Sequence, residues 1–156
     1  MAAGFVAKSI NLDGAVFKES GEAGLGVIAQ TSQGLVLASL AKKITFPPSV
    51  DDEEAMAAAR AILFAQELGH SSFVLEGDSE IIINALRSED DSFASNGHLL
   101  ASTKSLIASS DMVSFSHTRR QGSVVAHNLA RHVSGLMVWM EEVPPHLHDA
   151  ILVDWG

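Results

Sequence analysis

The chain has 156 residues, 47% of them hydrophobic, a formal net charge of -9 and no cysteine. That is one domain's length with enough apolar side chains for a core, and the lack of cysteine excludes disulfides, thiolate zinc sites and cysteine nucleophiles. The acidic balance excludes indiscriminate attraction to polyanions, so a nucleic-acid partner requires a local basic patch or metal ions.

Three apolar or alternating runs come first: "SINLDGAVF" from Ser9 to Phe17, "GLGVIAQTS" and "GLVLASLAKKI". The turn-forming "KESGEAG" and "QG" separate them, which predicts an antiparallel meander. In "PPSVDDEEAMAAARAILFAQELG" the period changes. Prolines close the strand region, Ser49 and four acids suit a helix N-terminus, and Gly69 suits the C-terminal cap. "SSFVLEGD" then reads as a strand, with Asp78 or Ser79 able to cap the short helix "SEIIINALRS". "SEDDSFASNG" is a loop, "HLLASTKSLIASS" a helix, "MVSFSHT" a strand, and "VVAHNLARHVSGLMVWM" a last helix.

The predicted order is β-β-β-α-β-α-α-β-α in a single domain spanning residues 1–156. The core covers about 9–140, and "EEVPPHLHDAILVDWG", residues 141–156, forms a tail packed on the body. "MAAGFVAKSI" has no basic n-region, and no run approaches the roughly 18 apolar residues of a membrane span. These features predict an intracellular protein, nuclear or cytoplasmic with an organelle not excluded, that does not engage membranes. A monomer is assumed.

Asp13 interrupts the first strand, where an ionised carboxylate is costly to bury and fits poorly. It calls for a turn, a hydrogen-bonding partner, a cation or water. Glu54 lies in the first turns of the long helix and Asp78 at the end of the fourth strand. A right-handed crossover through that helix would lay the fourth strand parallel to the first, and the three carboxylates could then converge. Each also has a plain structural reading: Asp13 as a turn residue beside Gly14, Glu54 as one more acid at a helix N-terminus, Asp78 as a cap. Alternation leaves open which sheet face carries the long helix.

"NLDGA", "GLGVIAQTSQGLVLAS", "EEAMAAARAILFAQELG", "LEGDSEIIINAL" and "HTRRQGSVVAHNLARHV" follow one another in an order that resembles the ribonuclease H family. The resemblance is strongest to the plant ribonuclease H-like domains of reverse-transcriptase-type retroelements, whose tails "EVPPHLHDAILVDW" also resembles. It implies an α/β ribonuclease H-like fold: a five-stranded mixed sheet, made of a three-stranded antiparallel meander plus two parallel strands, flanked by helices. It also implies a metal-dependent endoribonuclease that hydrolyses the RNA strand of an RNA/DNA hybrid with Mg²⁺ (or Mn²⁺). Asp13, Glu54 and Asp78 match the family's first three metal-binding carboxylates. Two such ions, about 3.5–4 Å apart, activate water and steady the leaving oxygen in enzymes of this kind.

At the family's fourth carboxylate this chain reads "RQGSVVAHNLA", with His127 in place of aspartate and Ser123 where asparagine is usual. A neutral imidazole could assist the second ion or relay a proton, although magnesium prefers oxygen. Arg120 matches the family's arginine and Arg119 replaces a common proline; together they could grip phosphate, and as surface charges they need do nothing more. Gly14 would let backbone approach a sugar. The alternative function is a domesticated, non-catalytic module that keeps the fold and binds nucleic acid or protein, favoured by the acidic charge, His127 and Ser123.

Overall fold

The first strand, β1 (Lys8–Phe17), turns through "ESG" into β2 (Glu22–Thr31), with Gly21 at φ 68° and its amide donating to the Phe17 carbonyl. A second turn, with Gly34 at φ 86°, leads into β3 (Val36–Thr45). Both glycines occupy the left-handed region that other residues adopt only at a cost. The meander predicted from the sequence is thus formed by two antiparallel pairings, Asp13 lying opposite Gly26 and Val27 opposite Leu40.

The protein is described here by a computed structural model covering residues 8–17, 19–45, 50–77, 79–87, 97–117, 121–131 and 136–140. After the meander come α1 (Val50–Glu67), β4 (Ser72–Gly77), α2 (Glu80–Arg87), α3 (Gly97–Ala108), β5 (Met112–His117), α4 (Gln121–Arg131) and β6 (Leu136–Met140). The expected core sheet is present in the order β3-β2-β1-β4-β5, with β4 parallel to β1 and β5 parallel to β4. A sixth strand extends it, because β6 pairs antiparallel with the outer edge of β3.

That strand corrects the expectation of one long last helix through Met140. The apolar run "LMVWM" fits either period, and only the open β3 edge, far away in sequence, decides for strand. The expected tail, residues 141–156, lies outside the described residues.

Helix ends follow local chemistry. Gly69 at φ 84° terminates α1: its amide donates to the Gln66 carbonyl and the His70 amide to the Ala65 carbonyl, so two carbonyls of the last turn are satisfied. Ser79 caps α2, its hydroxyl accepting from the Ile82 amide at 3.4 Å.

Even-numbered residues of β1 settle which face carries the long helix. Ile10 and Leu12 join Val27, Leu40 and the α1 residues Ala57, Ala58, Ala61 and Ile62 in the main core. On the other face Ile28 and Ala41 pack with Val125, Ala126 and Leu129 of α4. With helices on both sides, β2 is buried along nearly its whole length. Gly26 lets α4 come that close, since a Cβ there would collide with the Ala126 carbonyl.

Candidate active site

Odd-numbered residues of β1 point away from α1, and Asp13 is the one that meets a titratable partner across that face. Its Oδ1 accepts from the Gly14 amide at 2.8 Å, and its Oδ2 lies 2.9 Å from Nδ1 of His127 on α4. The Asp13 side chain is 8% exposed, whereas that of His127 is 43% exposed. The aspartate therefore sits in the protein and the imidazole bridges it to solvent.

Glu54 reaches the same place from α1. It is 7% exposed and, with Glu53, Gly14, Ala15, Phe17, His127 and Arg131, lines an open cleft of about 390 Å³. Thus Glu54 and His127 approach from opposite faces of the sheet and line one cleft near the end of β1, with Asp13 in contact with His127.

Glu53 was not singled out by sequence reading, which grouped it with Asp51 and Asp52 as helix-terminus acids. It is 1% exposed, and its carboxylate occupies the space a side chain at Gly14 would fill. Both adjacent glutamates, Glu53 and Glu54, are thus buried and line the cleft. Glu53 stands one and two turns before Ala57 and Ala61, and Glu54 before Ala58 and Ile62, all four of them buried. An alanine-rich helix packs closely over a wide arc, so neighbours about 100° apart both fall inside it. The signal was in the sequence, as the spacing of Glu53 from those alanines. Gly14, expected to admit a sugar, lines the cleft and makes room for Glu53.

Asp78, Arg119 and Arg120 lie outside the described residues. Asp13 and Glu54 offer the hard oxygen donors that Mg²⁺ and Mn²⁺ take, and a cation would offset the cost of burying two carboxylates. Among the described residues, however, no group of three or more histidine, aspartate or glutamate side chains is arranged to hold a metal ion. Among them, too, no helix is long and apolar enough to cross a membrane.

The fold has counterparts of known structure. RNase H1 from the halophilic archaeon Halobacterium salinarum NRC-1 superposes with a TM-score of 0.72 at 22% identity, over 80% of this chain and 95% of that one. The N-terminal RNase H domain of a Mycobacterium tuberculosis protein gives 0.68 at 20% identity, over 81% and 91%. LC11-RNase H1, crystallised in complex with an RNA/DNA hybrid, gives 0.64 at 20%, over 81% and 95%. At these identities the likeness establishes the fold. No curated protein matches the chain. The sequence profile of the family described as reverse transcriptase-like matches residues 11–133, a span from the residue before Leu12 and Asp13 to beyond α4. The chain, carrying Asp13, Glu54 and His127 within that span on a ribonuclease H fold, belongs to the reverse transcriptase-like family.

Proposed function

We propose that the protein is a metal-dependent endoribonuclease acting on the RNA strand of RNA/DNA hybrids. The observation that carries this reading is that Glu54 of α1 and His127 of α4 line one cleft, with Asp13 of β1 in contact with His127 at 2.9 Å. Asp13 and Glu54 hold Mg²⁺ or Mn²⁺ in this reading, with Asp78 as the third carboxylate. Ser79 supplies the cap of α2, so capping makes no demand on Asp78. The bound cation supplies Lewis acidity to a water and to the phosphodiester leaving oxygen.

The chain's own residues do the rest. Asp13, held by the Gly14 amide, fixes the imidazole through Nδ1. When Nδ1 carries the proton, Nε2 is the ring atom that can accept one, so His127 is a proton relay oriented by Asp13. Arg119 and Arg120 grip backbone phosphate, and Gly14 keeps the cleft floor open.

The contact between His127 and Asp13 also favours a second reading. It engages one oxygen of the carboxylate on which metal binding depends, at the position where the family places another carboxylate. A protein built that way could bind hybrid without cutting it.

One experiment separates the two. The protein is incubated with hybrid, RNA duplex and DNA duplex, each with Mg²⁺, Mn²⁺ or chelator, beside Asp13→Asn and Asp78→Asn. Cleavage of hybrid alone, dependent on metal and reduced on the order of a hundredfold or more in both variants, is the expected result. Binding of hybrid without cleavage under any metal selects the non-catalytic module.

A further inference from the structure

The cleft is acidic at its floor, with Glu53, Glu54 and the nearby Asp13, in a chain of net charge -9. A phosphodiester strand entering it meets repulsion, and one ion in the floor does not hold a strand in register. Arg131 is the permanently cationic residue among the described cleft-lining residues. It is exposed, stands one helical turn beyond His127 on α4, and makes no hydrogen bond or ion pair among the described residues. Its exposed side chain borders the cleft where the charge of a strand must be met.

Phe17, the last residue of β1, lines the same cleft. The Lys43 ammonium lies 6.0 Å from its ring centroid and pairs with Glu22 at 3.4 Å. A cation at the outer range of a cation–π contact, itself paired with a carboxylate, thus flanks the ring before any ligand arrives.

We propose that Arg131 and Phe17 form a two-point grip for a single nucleic-acid strand crossing the cleft. Arg131 takes a phosphate, and the Phe17 ring packs against the neighbouring sugar or base. Cation and aromatic group in one groove are the elements by which proteins hold strands without reading sequence. The grip rests on the hybrid-nuclease reading and adds a strand-holding site to it.

The test measures hybrid affinity by fluorescence anisotropy in chelator, where cutting is absent, over a range of salt, for the parent, Arg131→Gln, Arg131→Lys and Phe17→Leu. Arg131→Gln should weaken affinity about tenfold and lower the slope of log affinity against log salt by about 0.7–0.9, the value of one phosphate contact. Arg131→Lys should restore the slope and only part of the affinity, since a point charge replaces a fork. Phe17→Leu keeps an apolar side chain and should weaken affinity about fivefold with the slope unchanged, by loss of stacking. Unchanged affinity and slope in Arg131→Gln, with a lowered melting temperature, would mean that Arg131 serves only the end of α4 and overturns the grip. Unchanged affinity in Phe17→Leu overturns the ring's part. If the parent itself binds neither hybrid nor single strands in chelator, the grip falls, while cleavage of hybrid with Mg²⁺ or Mn²⁺ decides the nuclease reading separately. Binding by the parent with equal binding by both variants removes the grip alone.

Discussion

Within the cleft, the imidazole of His127 is the residue whose replacement speaks most directly to metal binding. Nδ1 lies 2.9 Å from Asp13 Oδ2, so His127→Asp would set two carboxylates beside each other. Their repulsion should lower the melting temperature in chelator, and a divalent cation that binds the folded state should restore it by mass action. Mg²⁺ is expected to raise the melting temperature of this variant more than that of the parent, and to raise cleavage most at low metal concentration. The gain should be smaller with Mn²⁺, which accepts imidazole more readily. A thermal melt with and without each ion checks the first part and an initial-rate assay the second. The two glutamates should separate as well. Glu54→Gln is expected to reduce cleavage more than Glu53→Gln, whose carboxylate is pressed on Gly14. Equal rates in the two variants would return Glu54 to the role of a helix-terminus acid.

At the scale of elements, α4 is the piece that completes the site, and its distance from the sheet is set by one glycine. A Cβ at Gly26 would strike the Ala126 carbonyl and crowd the Ala130 amide, both backbone, so no side-chain rotation relieves the clash. Gly26→Ala should therefore cost about 1–3 kcal/mol, as overpacking does, and displace His127 from Asp13, so that stability and cleavage fall together. Gly69→Ala provides the contrast. The position is open to solvent, and only its φ of 84° resists a side chain, so a loss of about 1–2 kcal/mol with cleavage retained is expected. Denaturant midpoints and rates measured on both variants check the pair. Elements of strong period were legible from sequence: the meander, α1 with its glycine stop, and the parallel β1–β4 neighbours. β6 was not, because five apolar residues carry no period and their partners in β3 lie 94–102 residues earlier. Asp13 and Glu54 were legible through the family order, but the contact of Asp13 with His127 was not, since neither local pattern nor spacing tells which sheet face α4 covers.

For the molecule as a whole, stability against pH should carry the mark of His70, in the turn between α1 and β4. Its Nδ1 lies 3.0 Å from Nζ of Lys8 at the start of β1, tying the turn to the sheet. Burial, and secondly the Lys8 ammonium, hold the imidazole's pKa below its ordinary 6.5. A histidine with a depressed folded-state pKa takes up its proton more readily when unfolded, so folding stability is full above about 6.5 and declines as pH falls below it. Chemical denaturation between pH 7.5 and 5.5 should show that decline in the parent and a shallower one in His70→Gln. A steeper decline in the variant would contradict the assignment.

The pairing of Asp13 with His127 spans 114 residues of chain. Read along the path of synthesis rather than across the folded molecule, that separation becomes a delay. At about 5–20 residues per second, roughly 6–23 seconds pass between translation of the aspartate and of the histidine. Through that interval the nascent sheet carries its carboxylates, while the side of β2 and β3 that bears Gly26, Ile28 and Ala41 has no helix to cover it. A chain stopped before residue 121 is therefore expected to expose that apolar side, to associate with chaperones or with itself, and to lack the wall of the cleft that α4 provides. Any chemistry of the cleft waits for α4, and no chain stopped before that helix can perform it early.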